Sequence, residues 1–251
     1  MIAVARDAVL VAAGVLAGVV GTAGGITSLI SYPALLWVGV PALQATIANT
    51  VAIVACWPGS AAASRPELRD RGPWLRRWIP VAAAASTAGS VLLLVTPAGV
   101  FSRVVPFLIA AGSLALLLQP RITAGSGETT RGGRRWILPG AMAVLSVYNG
   151  YFGAGTGVLL LSLMLLTVDS QLARANALKN MLVGASSIAA AVTFAVLAKV
   201  DWTVVAPLAA GMLAGSVIGP RIARRMPPGL LRWLVALTGL GFAARLWLTA
   251  G

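Results

Sequence analysis

Asn149-Gly150-Tyr151-Phe152-Gly153-Ala154-Gly155-Thr156-Gly157 lies inside an apolar run from about Trp136 to Thr167. A membrane helix needs about 20 residues, so the run is too long for one straight crossing and too short for two. Its centre holds Asn149 and the glycines Gly150, Gly153, Gly155 and Gly157. Each glycine costs about 1 kcal/mol relative to alanine inside a helix. A broken helix at membrane depth is tolerated only where protein or a water-filled cavity satisfies the freed backbone groups. The stretch therefore reads as a break that lines a site. Gly18-Val19-Val20-Gly21-Thr22-Ala23-Gly24-Gly25 reads as a second copy near the N-terminus.

Composition sets the class. Of 251 residues, 59% are hydrophobic and 10% charged, against about a quarter charged in a soluble domain. Several apolar runs reach membrane-spanning length, so the chain is a polytopic membrane protein with the lipid bilayer as its surroundings. The longest polar stretch, about Arg121 to Arg135, is too short for a soluble domain. The net charge of +13 does not point to nucleic acid, because the arginines sit in short loops between apolar runs. With Cys56 as the single cysteine and no histidine, an internal disulfide and a conventional zinc or iron site are both unexpected, and no cofactor is implied. Arg6 before an apolar run has the charge pattern of a signal peptide. The run continues through the glycines into further spans, so no cleaved leader is expected.

The apolar segments fall at about 8–40, 44–63, 76–96 and 99–119, then at 136–167, 173–198, 202–220 and 229–248. Both halves read as one over-long broken run followed by three ordinary spans, the mark of an internal repeat. Gly18, Gly21 and Gly25 match Gly150, Gly153 and Gly157 at an offset of 132. Asn49 matches Asn180, and Ala88-Gly89-Ser90-Val91 matches Ala214-Gly215-Ser216-Val217. The domains are thus a first transmembrane repeat at 1–119, a polar basic linker at 120–135 and a second repeat at 136–251.

Two topologies remain open. Each broken run can dip in and return as a re-entrant hairpin, with three full crossings per half and the halves inverted. Each can instead cross once, which gives eight crossings and parallel halves. Positive charge gathers on the cytoplasmic side, and the re-entrant arrangement puts 14 cationic residues on one face and 4 on the other, with both termini outside. The eight-crossing arrangement divides them 12 to 6. Split at the glycines, each arm would be about 15 residues, or roughly 22 Å. Gly211, Gly215 and Gly219, and likewise Gly14 and Gly18, form small-residue stripes that let helix backbones approach within one subunit. The eight tryptophans, Trp57 among them, mostly fall at span ends and read as an interfacial belt.

With the repeat in hand, the chain resembles the TauE/SafE, or sulfite-exporter-like, family of membrane transporters. Gly18-x-x-Gly21-x-x-Gly24-Gly25 with Pro33 and then Ala45-Thr46 carry the likeness in the first half. Tyr148 to Gly157, followed by Asn176-Ala177-Leu178-Lys179-Asn180, carry it in the second. The likeness covers nearly the whole chain. That family's second-half motif usually has an acidic residue where this chain has Asn149. The resemblance implies transport of small sulfur-containing anions, such as sulfite or organosulfonates, across the inner membrane.

Charges are almost absent from the spans, which argues against a carboxylate proton relay and against hydrolytic chemistry. Lys179 is the exception, about seven residues into the span 173–198. A central lysine costs about 2.5–3.5 kcal/mol on insertion scales and is a functional hypothesis by default; snorkelling to the interface is the alternative. The expected substrate-binding set is Gly21, Thr22, Gly24, Gly25, Asn49, Asn149, Gly153, Gly155, Thr156, Gly157, Lys179 and Asn180. In this reading half-helix N-termini and neutral donors hold the anion, and Lys179 supplies the full charge. Cys56 reads as a small core residue. The alternatives to a transporter are an anion channel of the same architecture and a membrane scaffold that moves nothing. The sequence leaves the oligomeric state open.

Overall fold

The computed structural model describes residues 2–124 and 137–223, with 233, 236–237, 239–244 and 246–247 beyond them. Most of the basic linker, from 125 on, therefore lies outside the described residues. Among the described residues the chain is all-helical: α1 Ile2–Gly24, α2 Ser28–Trp37, α3 Ala42–Ile53, α4 Trp57–Ser64, α5 Gly72–Val95, α6 Ala98–Ala124, α7 Leu138–Tyr151, α8 Thr156–Thr167, α9 Leu172–Leu197 and α10 Trp202–Ala223. Four helical stretches are long and apolar enough to cross a bilayer: Ala42–Ala62, Gly72–Val95, Ala98–Leu118 and Leu172–Leu197.

Proline shapes the first of these. Pro58, near the start of α4, has no N–H to offer the carbonyl one turn before it. The chain passes from α3 to α4 through a 3₁₀ turn at Val54–Cys56, as a bent rather than a straight rod. That bend faces α9.

The two broken runs form helical pairs, but the first break is shorter than the glycines suggest. α1 runs unbroken through Gly14, Gly18 and Gly21 and stops at Gly24, 23 residues or about 34 Å from its start. The expected 15-residue arm is too short here. The cause is α10. A Cβ on Gly18 would come within 2.5 Å of the Met212 carbonyl, and one on Gly14 within 3.0 Å of the Gly211 Cα. Close backbone packing offsets the poor helix propensity of those glycines. The stripes at Gly14–Gly18 and Gly211–Gly215 thus pack on each other within the monomer.

Only Gly25 turns the chain in the first break, at φ +71°. In the second break Gly153 and Gly155 have φ +78° and +77°, a region that costs an L-residue about 1–2 kcal/mol. The Tyr148 hydroxyl donates to the Ala154 carbonyl at 2.7 Å and pins that turn. Asn149 and Gly150 end α7 in helical conformation rather than in the break.

Contacts between the halves are reciprocal. α1 packs on α10, and α7 packs on α5. Gly18 meets the Met212 carbonyl, while its counterpart Gly150 meets the Ser86 carbonyl. Gly215 meets the Val15 carbonyl, while Gly89 meets that of Val147. Gly25 and Gly157, counterparts themselves, touch each other: a Cβ on Gly25 would lie 2.8 Å from the Gly157 Cα, and one on Gly157 2.6 Å from the Gly25 Cα.

The ends of the hairpins lie at opposite ends of the molecule. Arg6 near the start of α1, Val38–Pro41 after α2, and Lys199 with Asp201 after α9 line one open cleft. Leu138 at the start of α7 shares a core with Leu160–Met164 and with Trp78 of α5, and Val168, Leu68 and Trp74 pack against it. Arg71 and Asp169 form an ion pair there. α9 starts beside this second group and ends beside the first, and its 26 residues are about 39 Å long.

Candidate functional site

α9 presents Asn180, Val183, Gly184 and Ser187 on one face, at the three- and four-residue spacing of a helix surface. Lys179 stands beside them. This face closes a cavity of about 70 Å³. The opposite walls come from the bend, with Thr50, Ile53 and Val54 before it and Cys56, Trp57 and Ser60 after it. The two breaks complete the enclosure: Gly21, Gly25, Thr27 and Ser28 from the first, and Asn149, Phe152, Gly153 and Gly157 from the second. One water needs about 10–15 Å³ of such space, so the cavity suits a few waters or one small ligand.

Lys179 dominates the electrostatics. It is 1% exposed, which ends the snorkelling reading. The ion pairs among the described residues are Arg6–Asp7 and Arg71–Asp169, and neither involves Lys179. Among the described residues no carboxylate lines the cavity. A buried charge with no partner carries a penalty of several kcal/mol, so the site as built is a cationic hole.

Neutral donors surround it. The Asn149 side-chain amide donates to the Ser187 hydroxyl at 3.4 Å, which ties the second break to α9. The Asn180 amide donates to the Ser64 hydroxyl at 3.3 Å, which ties α9 to α4. Of the backbone amides near the break ends, those of Ser28 and Gly157 form no backbone hydrogen bond among the described residues. Both residues line the cavity.

Seven of the twelve residues expected from the sequence line this cavity: Gly21, Gly25, Asn149, Gly153, Gly157, Lys179 and Asn180. Asn49 stands apart. It accepts from Ser31 at 2.5 Å and donates to Ser28 at 3.1 Å, fastening α2 to α3. Gly155 is turned toward α6, where a Cβ would lie 2.9 Å from the Gly112 Cα. Thr156 is fully buried, its hydroxyl without a partner among the described residues, outside the cavity lining. Thr22 and Gly24 end α1, and their surroundings lie outside the described residues.

Trp57 and Ser187 are cavity residues that the sequence does not single out. Trp57 is not interfacial; it forms a cavity wall. Its position before Pro58, well inside the run 44–63, is the available signal. Ser187 lies two helical turns from Asn180 on the same face of α9, a spacing that can be read.

Residues 8–246 match the family described as Sulfite exporter TauE/SafE. A Haemophilus influenzae protein named "Probable membrane transporter protein" is 26% identical over 248 residues, covering 95% of this chain and 93% of its own. "Probable membrane transporter protein ORF9" of a Sinorhizobium species is 26% identical, over 95% and 91%. "Probable membrane transporter protein YfcA" of Escherichia coli K12 is 26% identical, over 92% and 86%. No solved structure matches the chain. With the family match spanning nearly the whole sequence, this chain belongs to the sulfite exporter TauE/SafE family of membrane transporters.

Proposed function

We propose that the protein moves a small sulfur-containing anion, such as sulfite or an organosulfonate, across the cytoplasmic membrane as a secondary transporter. The observation that carries the reading is Lys179, buried at 1% exposure with no counter-ion among the described residues and lining a cavity of about 70 Å³. An anion entering that cavity supplies the missing charge. It also meets the open backbone amides at Ser28 and Gly157, where helix ends favour negative charge. An oxyanion loses most of its hydration there, and an ammonium is a point charge that does not demand planar geometry.

The architecture behind the reading is an inverted repeat: six crossings and two re-entrant hairpins, with the halves meeting at Gly25 and Gly157. Three observations support it. The two counterpart glycines touch, as residues on a pseudo-two-fold axis do. The α1–α10 and α7–α5 contacts exchange roles between halves. The ends of the first hairpin lie at the far end of α9 from those of the second. Binding at the meeting of two such repeats is the arrangement of many secondary transporters.

Thermal stabilisation of the purified protein tests the reading. The panel is sulfite, thiosulfate, methanesulfonate, sulfate and acetate, each on wild type and Lys179→Met. An anion at a hundred times its dissociation constant stabilises the fold by about 2.7 kcal/mol. A sulfur oxyanion is expected to raise the melting temperature of wild type and leave Lys179→Met unmoved. Equal stabilisation of both proteins, or of neither, would sink the reading. Saturable uptake into proteoliposomes against a gradient separates a transporter from a channel.

A further inference from the structure

Trp57 holds an indole N–H that is buried and bonded to nothing among the described residues. The residue opens α4 immediately after the 3₁₀ turn, so the bend at Val54–Cys56 sets the ring into the wall of the Lys179 cavity. Across from it is Gly184, one helical turn from Asn180. A Cβ on Gly184 would overlap the Cδ1–Nε1 edge of the indole. The absence of a side chain there is what seats the ring against α9.

An indole N–H can only donate. A buried donor without an acceptor is destabilising, and native proteins keep few of them. Here the unbonded donor stands in the wall of the cavity that holds an unpaired ammonium. Both groups lack the same thing, an acceptor oxygen, and neither can supply it to the other. The N–H edge of the ring lies against Gly184. To meet an anion in the cavity the ring must turn about its own side-chain bonds, away from Gly184.

We infer that the Trp57 indole N–H is a second, neutral anion-binding donor that works with Lys179, and that Gly184 is the residue that makes room for it. The inference rests on the anion-binding reading above. Lys179 draws any anion, whereas the indole donor, once turned toward the cavity, selects one with a second oxygen pointing away from the ammonium. An oxyanion such as sulfite meets that geometry; chloride, a single point of charge, does not.

The test uses the full-length protein in detergent with sulfite and chloride as probes. Trp57→Phe keeps a flat ring and deletes the donor. It is expected to weaken sulfite binding about tenfold by calorimetry, the factor a hydrogen bond to a charged group carries, and to leave chloride binding unchanged. In protein labelled with ¹⁵N at the indoles, one N–H signal should move downfield on adding sulfite, and that signal should be missing from Trp57→Phe. Gly184→Ala pushes the ring and is expected to weaken sulfite binding as well. If Trp57→Phe binds sulfite like wild type while Lys179→Met does not, the anion reading stands and the Trp57 assignment falls. If wild type binds no sulfite, both fall. Should Trp57→Phe fail to fold, the labelled wild type decides alone: an indole spectrum that sulfite leaves unmoved overturns the assignment.

Discussion

Lys179 and Asn149 line the same small cavity, one cationic and one neutral. Replacing Asn149 with aspartate would put a carboxylate beside the unpaired ammonium. Asn149→Asp is expected to raise the melting temperature of the anion-free protein and to abolish its stabilisation by sulfite, because the internal carboxylate occupies the role of the ligand. Melting curves with and without sulfite decide it, and an anion response like that of wild type would place Lys179 beyond reach of position 149. The glycines give a second expectation. Gly157→Ala would drive a Cβ to 2.6 Å from the Gly25 Cα, and such overpacking costs typically 1–3 kcal/mol. Gly99, at the start of α6, has nothing within 4 Å of its added Cβ. Gly99→Ala should be neutral or stabilising by up to about 1 kcal/mol. Denaturant unfolding of the two variants reads the contrast directly.

The short helices α2, α7 and α8 owe their ends to particular residues, and those ends are held by polar ties. Asn49 fastens α2 to α3 through Ser28 and Ser31. Asp169 does comparable work for α8 and α9. It accepts the Gln171 backbone N–H at 3.0 Å and pairs with Arg71 of the preceding half. Asp169 is 8% exposed in its side chain and Arg71 30%, so the pair lies between an exposed bridge of about 0.2–1 kcal/mol and a buried one whose breakage costs about 3–5. Arg71→Gln is expected to destabilise by about 1–2 kcal/mol. A double-mutant cycle with Asp169→Asn should recover a coupling of about 1 kcal/mol; additivity of the two changes would show the pair to be idle. The lysine-bearing helix, the small-residue stripes and the long spans are legible in the sequence, because each depends on spacing within one segment. The position of the first break is not, because α10, distant in sequence, packs on Gly14 and Gly18 and keeps that stretch helical.

Taken as one body in a bilayer, the chain has an arginine-rich end beside Asp169 and an arginine-poor end beside Lys199. In the proposed re-entrant arrangement the positive-inside rule makes the first end cytoplasmic. Single cysteines in a Cys56→Ala background test the arrangement. Gln44→Cys and Lys199→Cys are expected to react with an impermeant maleimide in whole cells, and Asp70→Cys and Ser170→Cys to be protected. Eight crossings would instead put positions 70 and 170 on opposite sides, so reaction at one of that pair and protection of the other would overturn the re-entrant arrangement.

The sequence alone determined that this is a polytopic membrane protein and that a lysine lies inside an apolar segment of spanning length. Those properties follow from composition, from periodicity and from the cost of charge in lipid, all of which are local or countable. Only the tertiary structure decided which polar residues meet. Asn49 and Asn180 match in sequence position, yet one fastens a helix and the other lines the cavity, because different neighbours pack against them. Trp57 stands in the wall of the site rather than in an interfacial belt because a proline bend and a glycine 127 residues away together seat its ring. Such placements arise from contacts between distant segments, which spacing along one helix does not encode.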